Sequence, residues 1–146
     1  MHYTCEITIN RPVDEVVNAF MDPEGIYEWM EGLQSVKHLE GEEGRPGAKT
    51  EMTFKNKNRT FSMVETIKEN KLPDLYSASY TTKGVENNMD VRFEKIDENC
   101  TLYHTDQEFL FSSFGMRLMG KVMKGAFKKQ TMKYLEAFKH YAEKRS

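Results

Sequence analysis

An imidazole and two carboxyl groups occupy alternate positions late in the chain: His104, Asp106 and Glu108. Side chains two residues apart on a strand point to the same face of its sheet. Such a row could perform general acid–base catalysis, or it could bind a metal through imidazole and carboxylate ligands. Polar side chains on strands more often face water, so we favour a solvated row and predict no metal site and no cofactor.

The register of this strand decides between the two interpretations. If the turn at 97–100 pairs Phe93 with His104, the polar row faces the interior. A one-residue bulge would reverse every side chain of the strand. The residues that would then face inward are Tyr103, Thr105, Gln107 and Phe109.

A second group of polar residues interrupts an apolar helical stripe. Gln130 and Thr131 lie between Phe127 and Tyr134, at positions that face the same side of a helix. Polar side chains on an apolar face need hydrogen-bond partners. A neighbouring strand, a water molecule or the head group of a ligand could supply them.

Flexible and aromatic side chains are abundant, with ten Met, nine Phe and seven Tyr. Methionine adapts to ligands of imprecise shape, although any one of these side chains could simply fill a core. The members predicted to share one interior are Met52, Phe54, Phe61, Met63, Met89, Phe93, Met123 and Phe127.

The N-terminal segment predicts one strand followed by two short helices. Alternating apolar residues from Tyr3 to Ile9 indicate a half-buried strand. Pro12 suits the start of a helix, and Asp22 can cap a second short helix that contains Trp29. Residues 33–111 then show short alternating runs separated by polar turns, the pattern of an antiparallel meander.

The C-terminal segment predicts a single long helix over about 116–143. Its apolar residues recur at steps of three, four or seven, with charged residues opposite. At 1.5 Å per residue such a helix would be about 40 Å long, enough to cross a sheet. We find no repeat or linker, so we predict a single domain over 1–146.

Charge and hydropathy exclude several classes of protein. Residues 116–146 carry nine Lys/Arg and two Glu, but the whole chain has a net charge of −2 and a pI near 6.1, which is wrong for a dedicated nucleic-acid binder. No apolar run approaches the length of a membrane span, and the N-terminus lacks the pattern of a signal peptide. We therefore expect a cytoplasmic protein with no stable membrane insertion, and Cys5 and Cys100 as free thiols.

The order of elements, together with local sequence, resembles the START-like (SRPBCC, helix-grip) superfamily. The residues that carry the resemblance are the run from Ile7 to Val16, the Asp22-Pro23 pair and Trp29. The resemblance covers nearly the whole chain and implies an α+β helix-grip fold. In that fold a curved antiparallel sheet of about seven strands wraps around a long C-terminal helix, with two short helices after the first strand.

The resemblance also implies a deep cavity between the sheet and the long helix. Members of the superfamily bind lipids, sterols, plant hormones, quinones or polyketides, and a minority act as cyclases. We therefore predict binding of a lipid, quinone or polyketide-like molecule by a monomer or homodimer, and we favour a binding protein over an enzyme. The alternative is a cyclase-like or hydrolase-like enzyme that uses the His104 row. The residues predicted to bind the ligand are Trp29, Met52, Phe54, Phe61, Met63, Tyr80, Met89, Phe93, Met123, Phe127, Gln130 and Thr131.

Overall fold

All the strand signals belong to one antiparallel sheet. The computed structural model describes residues 1–145, so the last residue of the predicted 1–146 domain lies outside the described part. The seven strands are β1 (His2–Ile9), β2 (Leu33–Glu40), β3 (Lys49–Asn56), β4 (Arg59–Lys71), β5 (Leu75–Thr82), β6 (Val85–Asp97) and β7 (Cys100–Phe111). They are ordered β1-β7-β6-β5-β4-β3-β2, which confirms the predicted fold class.

Two short helices carry the chain from one edge of this sheet to the other. They are α1 (Val13–Phe20) and α2 (Ile26–Trp29), and Pro12 precedes α1 as predicted. The predicted cap of α2 is wrong, since Gly25 precedes that helix and no side chain caps it. Asp22 instead accepts a hydrogen bond from the hydroxyl of Tyr141 at 2.9 Å, which fixes the α1–α2 connection to the C-terminal helix.

The predicted long helix is two helices. α3 (Phe114–Val122) and α4 (Lys124–Lys144) meet at Met123, which leaves the helical conformation at φ −98° and ψ 12°. Gly120 and Gly125 flank this break, and glycine weakens a helix by about 1 kcal/mol relative to alanine. The prediction of one continuous helix missed this weakness.

The two helices differ in what they bury. α4 covers the sheet with Leu135, Phe138 and Ala142, all of which are buried. α3 buries only Gly120, against the ring of Phe111, and leaves most of its apolar side chains exposed. The helix that holds the core together is therefore α4.

A bulge near the β6–β7 turn sets the register of the last strand. The pairing shifts between Lys95 and Asp97, and Phe93 then pairs with Tyr103 instead of His104. Of the two registers weighed from the sequence, the structure has the bulged one. The buried residues of β7 are accordingly Thr101, Tyr103, Thr105 and Gln107.

Aromatic rings fill the interior beneath α1. Phe138 of α4 lies at its centre, completely buried, with the ring centroid of Trp29 at 5.1 Å and that of Tyr103 at 5.5 Å. Phe20 and Phe93 complete this cluster, with their ring centroids 5.3 Å apart. Close edge-to-face packing of this kind leaves no room for a ligand.

Candidate functional site

A cavity of about 760 Å³ lies beside the aromatic cluster, between the sheet and α4. Side chains from β1 to β7, α1, α2 and α4 line it, and most of them are apolar or aromatic. The exposed side chains of Met21, Tyr27 and Val36 belong to its wall, so the cavity communicates with solvent on that side. This volume and lining are typical of sites for small molecules.

One carboxyl group reaches the cavity from the sheet. Glu65 lies between Met63 and Ile67 on the inward face of β4, opposite Tyr80 of β5. The hydroxyl of Tyr80 donates to Glu65 Oε2 at 2.6 Å, and that of Tyr76 approaches the same oxygen at 3.5 Å. Burial raises the pKa of Glu65, and the two tyrosine contacts only partly oppose that shift.

The opposite wall carries the polar residues of α4. Tyr3 Oη lies 2.7 Å from Thr131 Oγ1 and 3.2 Å from the carbonyl oxygen of Phe127. Since a tyrosine hydroxyl has one hydrogen, Thr131 donates to Tyr3 when Tyr3 donates to that carbonyl. Burial raises the pKa of Tyr134, and the neighbouring Gln130 side chain only partly opposes that shift. Of the two polar residues that interrupt the stripe, Thr131 is thus satisfied by Tyr3, and Gln130 is exposed at the cavity wall.

No lysine or arginine lines the cavity anywhere in residues 1–145. The lining contains three carboxyl groups, those of Asp22, Glu43 and Glu65, and one imidazole, that of His38. Asp22 is held by Tyr141 and Arg145, and His38 Nε2 lies 2.6 Å from the carbonyl oxygen of Gly41. An anionic ligand would find no cation to compensate its charge here.

Comparison with known proteins agrees with this geometry. The model of the family described as "Polyketide cyclase / dehydrase and lipid transport" matches residues 1–143. The chain belongs to this polyketide cyclase/dehydrase and lipid transport family. The resemblance to START-like helix-grip proteins is thereby confirmed. A search of curated protein sequences gave no match.

Solved structures of the same fold include aromatase/cyclases. The Zhui aromatase/cyclase from Streptomyces sp. R1128 has a TM-score of 0.81 at 15% identity, over 99% of this chain and 94% of that one. A conserved protein from Geobacillus kaustophilus has a TM-score of 0.77 at 17% identity, over 99% and 96% of the two chains. The di-domain ARO/CYC BexL from the BE-7585A biosynthetic pathway has a TM-score of 0.76 at 13% identity, over 98% and 46%. At these identities the likeness establishes the fold alone.

Most of the predicted ligand-binding residues line the cavity of this family member. They are Trp29, Met52, Phe54, Met63, Tyr80, Met89, Phe127, Gln130 and Thr131. Three others do not. Phe93 belongs to the solid aromatic cluster, Phe61 lies exposed at the end of the β3–β4 hairpin against Phe54, and Met123 is exposed at the helix break.

The polar row of β7 lies outside the cavity. His104 faces the outer side of the sheet, where Nδ1 is 2.8 Å from Glu6 Oε2 and Nε2 is 3.3 Å from Asp106 Oδ1. Arg92 lies 3.6 Å from the same aspartate, and Glu108 Oε1 accepts from Asn88. The alternative that placed this row in the cavity was wrong, because the β6–β7 bulge reverses the strand.

Several residues of the site went unnoticed in the sequence, above all Glu65. It breaks the apolar alternation of β4 just as Gln130 breaks that of the helix, so the signal was present. Tyr76 and Asn87 share the inward faces of β5 and β6 with Tyr80 and Met89, so alternation could have found them, whereas Gln107 was placed inward only in the bulged register. Asn87 donates to Gln107 Oε1 at 3.0 Å, so this pair is satisfied within the cavity wall.

Among residues 1–145, no group of three or more His, Cys, Asp or Glu side chains is arranged to hold a metal ion. Over the same residues, no helix combines the length and the apolar character that crossing a bilayer requires.

Proposed function

We propose that this protein binds a hydrophobic small molecule, of the lipid, quinone or polyketide-like kind, in the cavity between the sheet and α4. The observation that carries the proposal is the cavity itself: about 760 Å³ of open space with a mainly apolar lining, beside a core that is otherwise closely packed. Empty space of this size lowers the stability of a domain, because the side chains that line it lose packing contacts. A bound ligand would restore those contacts.

The first test is native mass spectrometry of protein purified without organic solvent. We expect a population that carries an adduct of small-molecule mass, which denaturation releases for identification. Protein that remains free of adducts and also binds no apolar probe would contradict the proposal.

The second test places a charge on the wall. Phe127 lines the cavity next to Phe109, with their ring centroids 5.0 Å apart. Phe127→Arg should weaken the uptake of an uncharged apolar dye at least tenfold, because it puts a charge where the apolar body of the ligand lies. Phe114→Arg is the matched control, since Phe114 is 74% exposed on α3. Uptake is compared at equal folded fractions.

Catalysis on the bound molecule is a second candidate, and Glu65 is the observation that favours it. This carboxyl group faces the ligand space and has a raised pKa, which suits a group that exchanges a proton with a bound molecule. Two of the similar structures are named as aromatase/cyclases. Glu65→Gln would then spare binding of a polyketide-like compound and abolish its turnover, whereas for a carrier there is no turnover to lose.

A further inference from the structure

Glu65 has one oxygen that the protein leaves unused. Both tyrosine hydroxyls approach Oε2, and Oε1 receives no hydrogen bond from any residue in 1–145. Only two unpartnered side-chain polar atoms of the described chain are fully covered, Trp29 Nε1 and one nitrogen of Arg145. Glu65 Oε1 is not one of them, so it retains accessible surface. Because Glu65 lines the cavity, that surface faces the ligand space.

The indole of Trp29 supplies a second unused group. Trp29 lines the cavity and is only 5% exposed, and its Nε1–H finds no acceptor within the described residues. A buried N–H without a partner costs about 1–3 kcal/mol of desolvation. The same nitrogen has almost no accessible surface, so Trp29 borders the cavity with its ring and not with its N–H.

The surroundings favour the protonated form of Glu65. No lysine or arginine of residues 1–145 lines the cavity, so an ionised Glu65 has no counter-ion there. With Oε2 accepting from Tyr80, the proton belongs on Oε1, the oxygen that faces the open space. The unliganded cavity then presents one accessible donor without an acceptor, Glu65 Oε1–H.

We propose that the cavity selects an uncharged, carbonyl-bearing apolar ligand, whose carbonyl oxygen accepts a hydrogen bond from Glu65 and whose binding therefore requires that carboxyl group to keep its proton. The inference rests on the proposed function and adds the chemical class of the ligand. It disfavours fatty acids and other anions, because no lysine or arginine of the described lining would compensate their charge.

Proton linkage predicts the direction in which ligand affinity changes with pH. Since burial raises the pKa of Glu65, the carboxyl stays neutral above its ordinary value of 4.5. Affinity for a carbonyl ligand should be constant at pH values below the pKa that Glu65 has in the unliganded protein. It should then fall by up to about tenfold per pH unit as the pH rises above that pKa.

Other titratable groups around the cavity must be separated from this effect. They are Tyr3 on β1, Tyr27 on α2, His38 on β2, Tyr76 and Tyr80 on β5, Tyr103 on β7, Tyr134 on α4, and Asp22 and Glu43 in the connecting segments. Five of the tyrosines stay neutral over the range in question, since burial raises the pKa of Tyr3, Tyr76, Tyr80, Tyr103 and Tyr134. His38→Gln controls for the imidazole.

The experiment compares two probes that differ only in a carbonyl group. Prodan is an uncharged naphthyl ketone with a propionyl chain, and its propyl analogue carries a methylene in place of the carbonyl. Fluorescence titration of the wild-type chain should show prodan binding about tenfold more tightly than the propyl analogue, the contribution of one hydrogen bond. Glu65→Leu should remove that preference.

Glu65→Gln is the decisive variant. Its amide keeps a donor but cannot titrate, so it should bind prodan within about threefold of the wild type at low pH and lose the pH dependence. The wild type and His38→Gln should both keep that dependence. Circular dichroism at each pH confirms that every variant is folded.

The opposite results are distinct. Prodan affinity that rises with pH, or that falls equally in Glu65→Gln, would overturn this inference. Equal binding of both probes would overturn it while leaving the proposed function intact. Failure of both probes to bind a folded chain would overturn the proposed function as well.

Discussion

The interior has two halves that are built from similar residues and do different things. Beneath α1 the rings of Phe20, Phe93 and Phe138 pack against one another, with centroid distances of 5.3, 5.8 and 6.2 Å, and only Phe20 of the three also borders the cavity. Toward β3–β5 the side chains of Met63 and Met89 border about 760 Å³ of open volume. Aromatic and Met content alone does not distinguish a core from a site; what differs is whether opposing side chains reach each other.

Polar content follows the same division. Next to the closed half the buried polar side chains are satisfied, as when Thr101 donates to the carbonyl oxygen of Arg11 at 2.8 Å. In the open half Glu65 Oε1 is without a partner, and the indole N–H of Trp29, on the border between the halves, also has none within residues 1–145. We therefore expect substitutions in the closed half to change stability, and substitutions in the open half to change binding.

The largest effect should come from Phe138→Ala. This side chain is completely buried and contacts four other rings, so its loss should cost about 3–5 kcal/mol of unfolding free energy. Phe127→Ala is the matched variant in the open half and should cost roughly half as much, because one side of that ring already faces the cavity. Urea unfolding measures both. Equal losses would remove the distinction between the halves.

Glu65 should have a moderate effect on stability that depends on pH. Its pKa is raised in the folded state, so the folded chain binds the proton more tightly than the unfolded chain. Glu65 therefore does not lower the unfolding free energy at pH values below 4.5, the ordinary pKa of its carboxyl group. The unfolding free energy then declines as the pH rises from there toward the folded-state pKa of Glu65. Glu65→Gln should flatten that decline. An identical pH profile in urea unfolding of the two proteins would show that Glu65 is not buried as described.

The smallest effect should come from the outer face of the sheet. His104 makes its ion pairs with Glu6 and Asp106 at the surface, where such pairs contribute about 0–1 kcal/mol. His104→Ala should therefore change unfolding free energy by less than about 1 kcal/mol and leave probe affinity unchanged. A large loss of binding in this variant would show that His104, Asp106 and Glu108 belong to the ligand site after all.

The fold could be predicted from sequence because its signals are local. Alternation located β1, and the spacing of Phe127, Tyr134 and Phe138 located α4, although the weak point between Gly120 and Gly125 was predicted as continuous helix. The site was only partly predictable, since facing depends on register. One bulge between Lys95 and Asp97 decides which side chains of β7 face the interior. No residue type in the sequence predicts this bulge.

The cavity itself could not be derived from the residues. Phe93 and Met89 both face inward on β6, four residues apart, yet one packs into the ring cluster and the other borders open space. That outcome depends on how far α4 stands from each strand, which is a property of the whole assembly. Only the family resemblance predicted a cavity.

The most direct test of the central claim is to fill the open half and measure binding. Met63→Trp/Met89→Trp places two indoles in the cavity, and Met119→Trp/Met123→Trp makes the same chemical change at exposed positions on and after α3. Isothermal titration calorimetry with prodan should give a one-to-one complex for the wild type and the exposed variant. The filled variant, folded by circular dichroism, should bind at least tenfold more weakly. Equal affinity in all three proteins would contradict the claim that this cavity is the ligand site.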